Sequence, residues 1–136
     1  MKHALFALFF LFVSTFAHAD VLVIANPSVP DKALSSQDIK DIFLGKKLHW
    51  SDRSKITFAT LTQGDVHTDF LNTYLNKSPK QYAGTLDAKV FTTPGQAPKQ
   101  FSTSKKMVDY VAATKGAIGY IDAATNVKDT VPVTID

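Results

Sequence analysis

Two short polar stretches of this chain carry residue types able to hold a small solute. One is Asn26-Pro27-Ser28. The other runs from Thr62 through Gln63, Gly64, Asp65 and His67 to Thr68. Hydroxyl and amide side chains both donate and accept hydrogen bonds, and neutral imidazole does one of each. A helix opening at the second stretch adds free N–H groups and a positive dipole end, which suits an anion. Asp65 opposes that use. Its carboxylate satisfies the N–H groups itself and repels a phosphate dianion. It helps phosphate only by accepting a hydrogen bond from a protonated oxygen. Asn26 and Ser28 serve equally well as caps of their own turn.

Other chemistries find less support. Asp65, His67 and Asp69 stand two apart, so on a helix they point in different directions. Metal ligands must converge, so no metal site is expected there. His67 reads instead as a solvated first-turn residue. The chain has no G-x-S-x-G elbow, and nothing fixes a base beside a serine nucleophile. It has no Cys, which removes thiolate chemistry, disulfides and Cys-based zinc sites. The expectation is a non-enzymatic protein without a cofactor.

The elements that must position these residues follow from periodicity. Val21 to Ala25 is a continuous apolar run, as in a strand covered on both faces. Ser35 caps a predicted helix carrying Ile39, Ile42 and Phe43 on one face, with Gly45 as its stop and Lys46-Lys47 beside that end. Trp50 reads as an aromatic packed over the following turn. Ile56 to Leu61 is a second strand. Asp65 is the predicted cap of a helix bearing Val66, Phe70 and Tyr74. Ser78-Pro79 opens a third helix through Tyr82, Leu86 and Val90. Thr92 to Pro98 is a loop. Ser104 caps a helix with Met107, Val108, Val111 and Ala112 inward, stopped by Gly116. Ala117 to Ile121 and Val131 to Ile135 are further strands. The alternation implies an α/β domain, with a mostly parallel central sheet and helices on both faces. Sites in such sheets lie beyond the carboxyl ends of the strands, which brings forward the two polar stretches.

Length and composition agree. The chain has 136 residues, 45% hydrophobic and 20% charged, enough for one domain with a core. All acidic residues are Asp, and all basic ones are Lys except Arg53. A net charge of +3 without a basic cluster gives no reason to expect nucleic acid. Residues 1–19 have a basic start, an apolar stretch and Ala17-His18-Ala19, the form of a cleaved secretory signal peptide. That leaves residues 20–136 as a single exported domain, expected in the periplasm of a Gram-negative bacterium.

The segments LSSQDIKDIFLG (Leu34 to Gly45), Lys46-Lys47 with Trp50-Ser51-Asp52, FLNTYL (Phe70 to Leu75) and KGAIGYID (Lys115 to Asp122) occur together. In this combination the chain resembles the substrate-binding proteins of phosphate ABC transporters, in the periplasmic type II binding-protein superfamily. The likeness runs from about Val21 to Asp122. It implies one lobe of an architecture that uses two, with ligand held between them. It also implies that the loop after the second strand holds the anion, through an Arg and a Ser-Gly-Thr. Here that loop reads Leu61-Thr62-Gln63-Gly64-Asp65-Val66-His67-Thr68, without either feature. The expected ligand is therefore a small anion or other polar solute. The alternative is an interaction or sensory adaptor module with a vestigial site. An ABC permease, a membrane sensor or a second copy of the chain would supply the missing wall.

Overall fold

The computed structural model describes residues 20–92 and 97–136. The segment read as a signal peptide, and Pro94-Gly95 of the predicted loop, lie outside the described residues. The elements in order are β1 (Val21–Ala25), β2 (Ala33–Leu34), α1 (Ser36–Phe43), β3 (Thr57–Leu61), α2 (Asp65–Phe70) and a π-helical turn (Leu71–Leu75). Then come α3 (Pro79–Thr92), β4 (Lys99–Phe101), α4 (Ser104–Ala113), β5 (Ala117–Asp122), β6 (Val131–Pro132) and β7 (Thr134–Ile135).

The central sheet has the order β4-β3-β5-β1-β6. β3 is parallel to β4 and β5, whereas β1 is antiparallel to both β5 and β6. All strands of this sheet but β1 thus run in one direction, and the mixed α/β architecture expected from the sequence is present. β2 and β7 form a separate parallel pair at the margin.

Side chains alternate across β5 and show what covers each face. A Cβ on Gly119 would meet Met107 and Val111 of α4. Tyr120, the next residue, stacks on Phe70 at 3.8 Å and meets Phe43 edge-on at 5.7 Å. So α4 packs on one face, and α1 with the α2 region packs on the other. Ile39, Ile42, Phe43, Phe70 and Leu71 are wholly buried there. Each such side chain contributes about 1.5–3 kcal/mol of burial.

Local chemistry explains the helix limits. Ser35 accepts from the Asp38 amide while Asp38 accepts from the Ser35 amide, a complete capping box. Gly45, at φ +71°, ends that turn in the left-handed region. Lys47 reaches back to Asp38 at 3.2 Å instead of serving the helix end; the pair is partly exposed, so it adds little. Two predicted caps shift by one residue. Thr103, not Ser104, caps α4. Ser104 instead accepts from the Asp122 amide. Gly64, not Asp65, is the cap residue of α2, with no side-chain cap bond. Trp50 is buried, and its Nε1–H donates to the Gly116 carbonyl at 3.1 Å. The Tyr82 hydroxyl donates to the Phe43 carbonyl at 2.6 Å, which ties α3 to α1.

Candidate functional site

The antiparallel course of β1 decides which polar residues can act together. Ala25 pairs with Ile118, and Ile118 pairs with Phe58 near the start of β3. Asn26 therefore lies at the end of the sheet opposite to Thr62. Asn26 and Ser28 are not brought to the Thr62–Thr68 loop. A single site at one sheet end required β1 to run parallel to β3, and it does not.

Asn26 is also fully engaged. Its Nδ2 donates to the carbonyls of Val111 at 2.9 Å and Ala112 at 3.1 Å, and its Oδ1 accepts from the Ser28 amide. Ser28 Oγ accepts from the Gly116 amide at 3.0 Å. The two residues tie the end of β1 to the end of α4, which is the capping role left open by the sequence.

The second stretch forms one cluster at the carboxyl end of β3. The backbone and hydroxyl of Thr62 both donate to the Phe101 carbonyl, so β4 anchors the start of the loop. Gly64, at φ +93°, turns the chain into α2 with open space around it. The Thr68 amide and hydroxyl both donate to the Gly64 carbonyl. Thr62, Gln63, Gly64 and Asp65 are exposed, and Thr68 is half-buried. The Asp65 carboxylate forms no cap bond to the N–H groups of α2, contrary to the expectation that it would satisfy them.

His67 departs from its expected role. It is only 4% exposed, not solvated. Its Nδ1 lies 2.6 Å from the Tyr120 hydroxyl, which also accepts from the Leu61 amide at 3.1 Å. With that amide donating to the oxygen, the phenol's own proton points to Nδ1, since otherwise it would be buried without an acceptor. The imidazole proton then sits on Nε2. Burial holds the His67 pKa below its ordinary value, so the ring is neutral near pH 7. Burial likewise raises that of Tyr120 well above the usual phenol range, which keeps its proton in place.

A cavity of about 90 Å³ adjoins this ring, lined among others by Thr60, Thr62, His67, Tyr82 and Gln100. Among the described residues, no side-chain polar atom is both fully buried and without a partner. Nε2 of His67 makes no hydrogen bond, so it is not fully buried, and His67 is among the residues that line the cavity. The cavity holds about three waters at liquid density, or a small solute of that size. Thr60, Gln100 and Tyr120 are missing from the residues singled out by the sequence. Tyr120 had a signal, since the GAIGY segment alternates across β5. Gln100 had none, because β4 lies within a stretch without strand periodicity.

The PBP superfamily domain matches residues 11–134. No curated protein matches the chain in sequence. Solved structures share the fold at low identity. One is a Clostridium perfringens protein assigned as a phosphate ABC transporter substrate-binding protein, solved with bound phosphate. It has TM-score 0.65 and 19% identity, over 85% of this chain and 44% of that one. Another is PstS from Borrelia burgdorferi, with TM-score 0.64 and 17% identity, over 85% of this chain and 47% of that one. A phosphate-binding protein from Stenotrophomonas maltophilia has TM-score 0.64 and 17% identity, over 87% of this chain and 39% of that one. This chain spans less than half the length of each of these structures. By the extent of the domain match and by its fold, the chain belongs to the PBP superfamily.

Proposed function

We propose that this protein is an exported, periplasmic, non-enzymatic binding protein for a small polar solute, phosphate among them. Its site is the Thr62–Thr68 loop with the cavity behind it. The observation that carries this reading is His67. A nearly buried neutral imidazole borders a small cavity of mixed polar and apolar lining, at the carboxyl end of a strand. That is where ligands bind in open α/β sheets. The named relatives include phosphate-binding proteins, and one was solved with phosphate bound. Asp65 adds an exposed carboxylate to the loop, which favours a solute that carries a proton to donate over a fully ionised one.

Calorimetry of the purified protein against phosphate tests the reading. The expected result is saturable binding with Kd below 1 mM, about −4 kcal/mol or better. It should weaken at least tenfold in Gln63→Ala/Thr68→Ala, and strengthen in Asp65→Asn. Absence of heat with phosphate, sulfate and small sugars would reject it.

A second reading has its own support. Typical small-molecule sites occupy about 300–1,000 Å³ and bury most of the ligand. The cavity beside His67 is far smaller, and the chain spans less than half the length of the solved structures it resembles. On this reading the domain is an interaction module. A second copy, an ABC permease or a membrane sensor forms the other wall, and light scattering with and without solute separates the two readings.

A further inference from the structure

A second, larger hollow lies at the start of β3, on the end of the sheet away from Thr62. Its volume is about 270 Å³, close to the lower range of small-molecule sites. Along β3 it is lined by Thr57 and Phe58, whereas the cavity beside His67 is lined by Thr60, Leu61 and Thr62. Its lining includes Leu48, Ile56, Phe58 and Tyr110, together with Lys47, His49, Lys55 and Lys99. Leu48, at 39%, is the one exposed large hydrophobic side chain among the described residues. The half-buried ring of Phe58 rests edge-on against Phe43 at 5.4 Å, and that of Tyr110 leans on Phe101 at 5.1 Å. Phe58 belongs to the face covered by α1 and Tyr110 to the face covered by α4, so the two rings are opposite walls of a cleft at the sheet edge, each supported from behind.

The rim carries only positive charge. Among the described residues, no Asp lines the hollow. Lys47 is paired with Asp38. The ammonium groups of Lys55 and Lys99 have no hydrogen-bond or ion-pair partner among the described residues, and neither has the Tyr110 hydroxyl. Single surface lysines are ordinary. Here they converge from the α1–β3 connection and from edge strand β4 onto one apolar hollow. Bare phosphate would leave the apolar walls wet, and a neutral hydrocarbon would leave the cations unanswered. An anion with a flat apolar body satisfies both.

We propose that this hollow is a second binding site, for a small aromatic carboxylate. Its ring lies between Phe58 and Tyr110, beside Leu48, and its carboxylate is answered by Lys55, Lys99 and the Tyr110 hydroxyl. The site does not depend on the reading of the Thr62–Thr68 loop. Calorimetry with 1-naphthoate on the purified protein tests it. Saturable binding is expected, undisturbed by 10 mM phosphate, and at least tenfold weaker for the neutral 1-naphthalenemethanol. Lys55→Gln/Lys99→Gln should lose at least tenfold in affinity while keeping the parent melting temperature, since both residues are exposed. Absence of binding at millimolar naphthoate would overturn the proposal. So would equal affinity in the double variant, equal affinity for the alcohol, or displacement by phosphate.

Discussion

The Tyr120 hydroxyl stands 2.6 Å from His67 Nδ1 and 3.1 Å from the Leu61 amide, so one oxygen joins β5, β3 and the first turn of α2. This junction sets the orientation of the imidazole that borders the small cavity. It also makes the site and the core inseparable, because the same Tyr ring stacks on Phe70.

Removing that oxygen leaves two buried groups without partners. Tyr120→Phe is expected to cost about 1–3 kcal/mol for each buried group left unsatisfied. Tyr110→Phe, whose hydroxyl has no partner, should change stability by less than about 0.5 kcal/mol. Urea unfolding of the two variants beside the parent measures the difference. Equal stabilities would show that the hydroxyl does not bridge the strands.

The His67 environment predicts a pH dependence with a defined sign. Its folded pKa is lowered from the ordinary value of 6.5 by burial. Below pH 6.5 the unfolded chain therefore binds a proton that the folded chain resists, and stability falls with pH. The loss continues until the pH passes the depressed folded value. Asp38, held below 3.8 mainly by its hydrogen bond from the Ser35 amide, acts in a separate and more acid window. Unfolding followed between pH 7.5 and 5 should show the decline in the parent. A folded His67→Gln variant should lack that decline.

Gly116 and Gly64 both have positive φ, but only one is crowded. A Cβ at Gly116 would lie 2.5 Å from the Lys55 carbonyl oxygen, whereas at Gly64 it meets nothing. Gly64→Ala is expected to cost about 1–3 kcal/mol from backbone conformation alone, since φ +93° with ψ 169° is a region that only glycine enters readily. Gly116→Ala should cost distinctly more, because a backbone oxygen cannot step aside. Melting temperatures would rank them, and a reversed order would refute the placement of Gly116 against Lys55.

The elements that surround the site were largely legible in the sequence, and for physical reasons. Ile39, Ile42 and Phe43 recur at helical spacing and are all wholly buried. Ser35 with Asp38 is a capping box that can be read directly from residue type and spacing. The junction behind the site was not legible. The burial of His67 depends on Tyr120, a residue 53 positions away, and helical periodicity reports only near neighbours. The grouping of Asn26 with Thr62 failed for a similar reason. A short apolar run such as VLVIA has no direction written in it, so its antiparallel pairing with β5 emerges only from the assembled sheet. The edge strand β4, with Lys99 and Gln100 exposed, lacks the alternation that would have marked it.

Asn26 separates structural from binding roles. Asn26→Ala removes a donor from the Val111 and Ala112 carbonyls and the acceptor of the Ser28 amide. It should destabilise the protein by at least about 2 kcal/mol. Phosphate affinity of the folded fraction should stay within twofold of the parent, since Asn26 lies at the opposite end of the sheet. A large loss of affinity with little loss of stability would return Asn26 to the binding site.

The most direct test of the central claim is the nitrogen NMR spectrum of His67, recorded with and without phosphate. The account predicts a neutral ring with its proton on Nε2, and an Nε2 resonance that shifts saturably as solute is added, while His49 stays unchanged. A proton on Nδ1, or solute binding that leaves the His67 resonances unmoved, would contradict it.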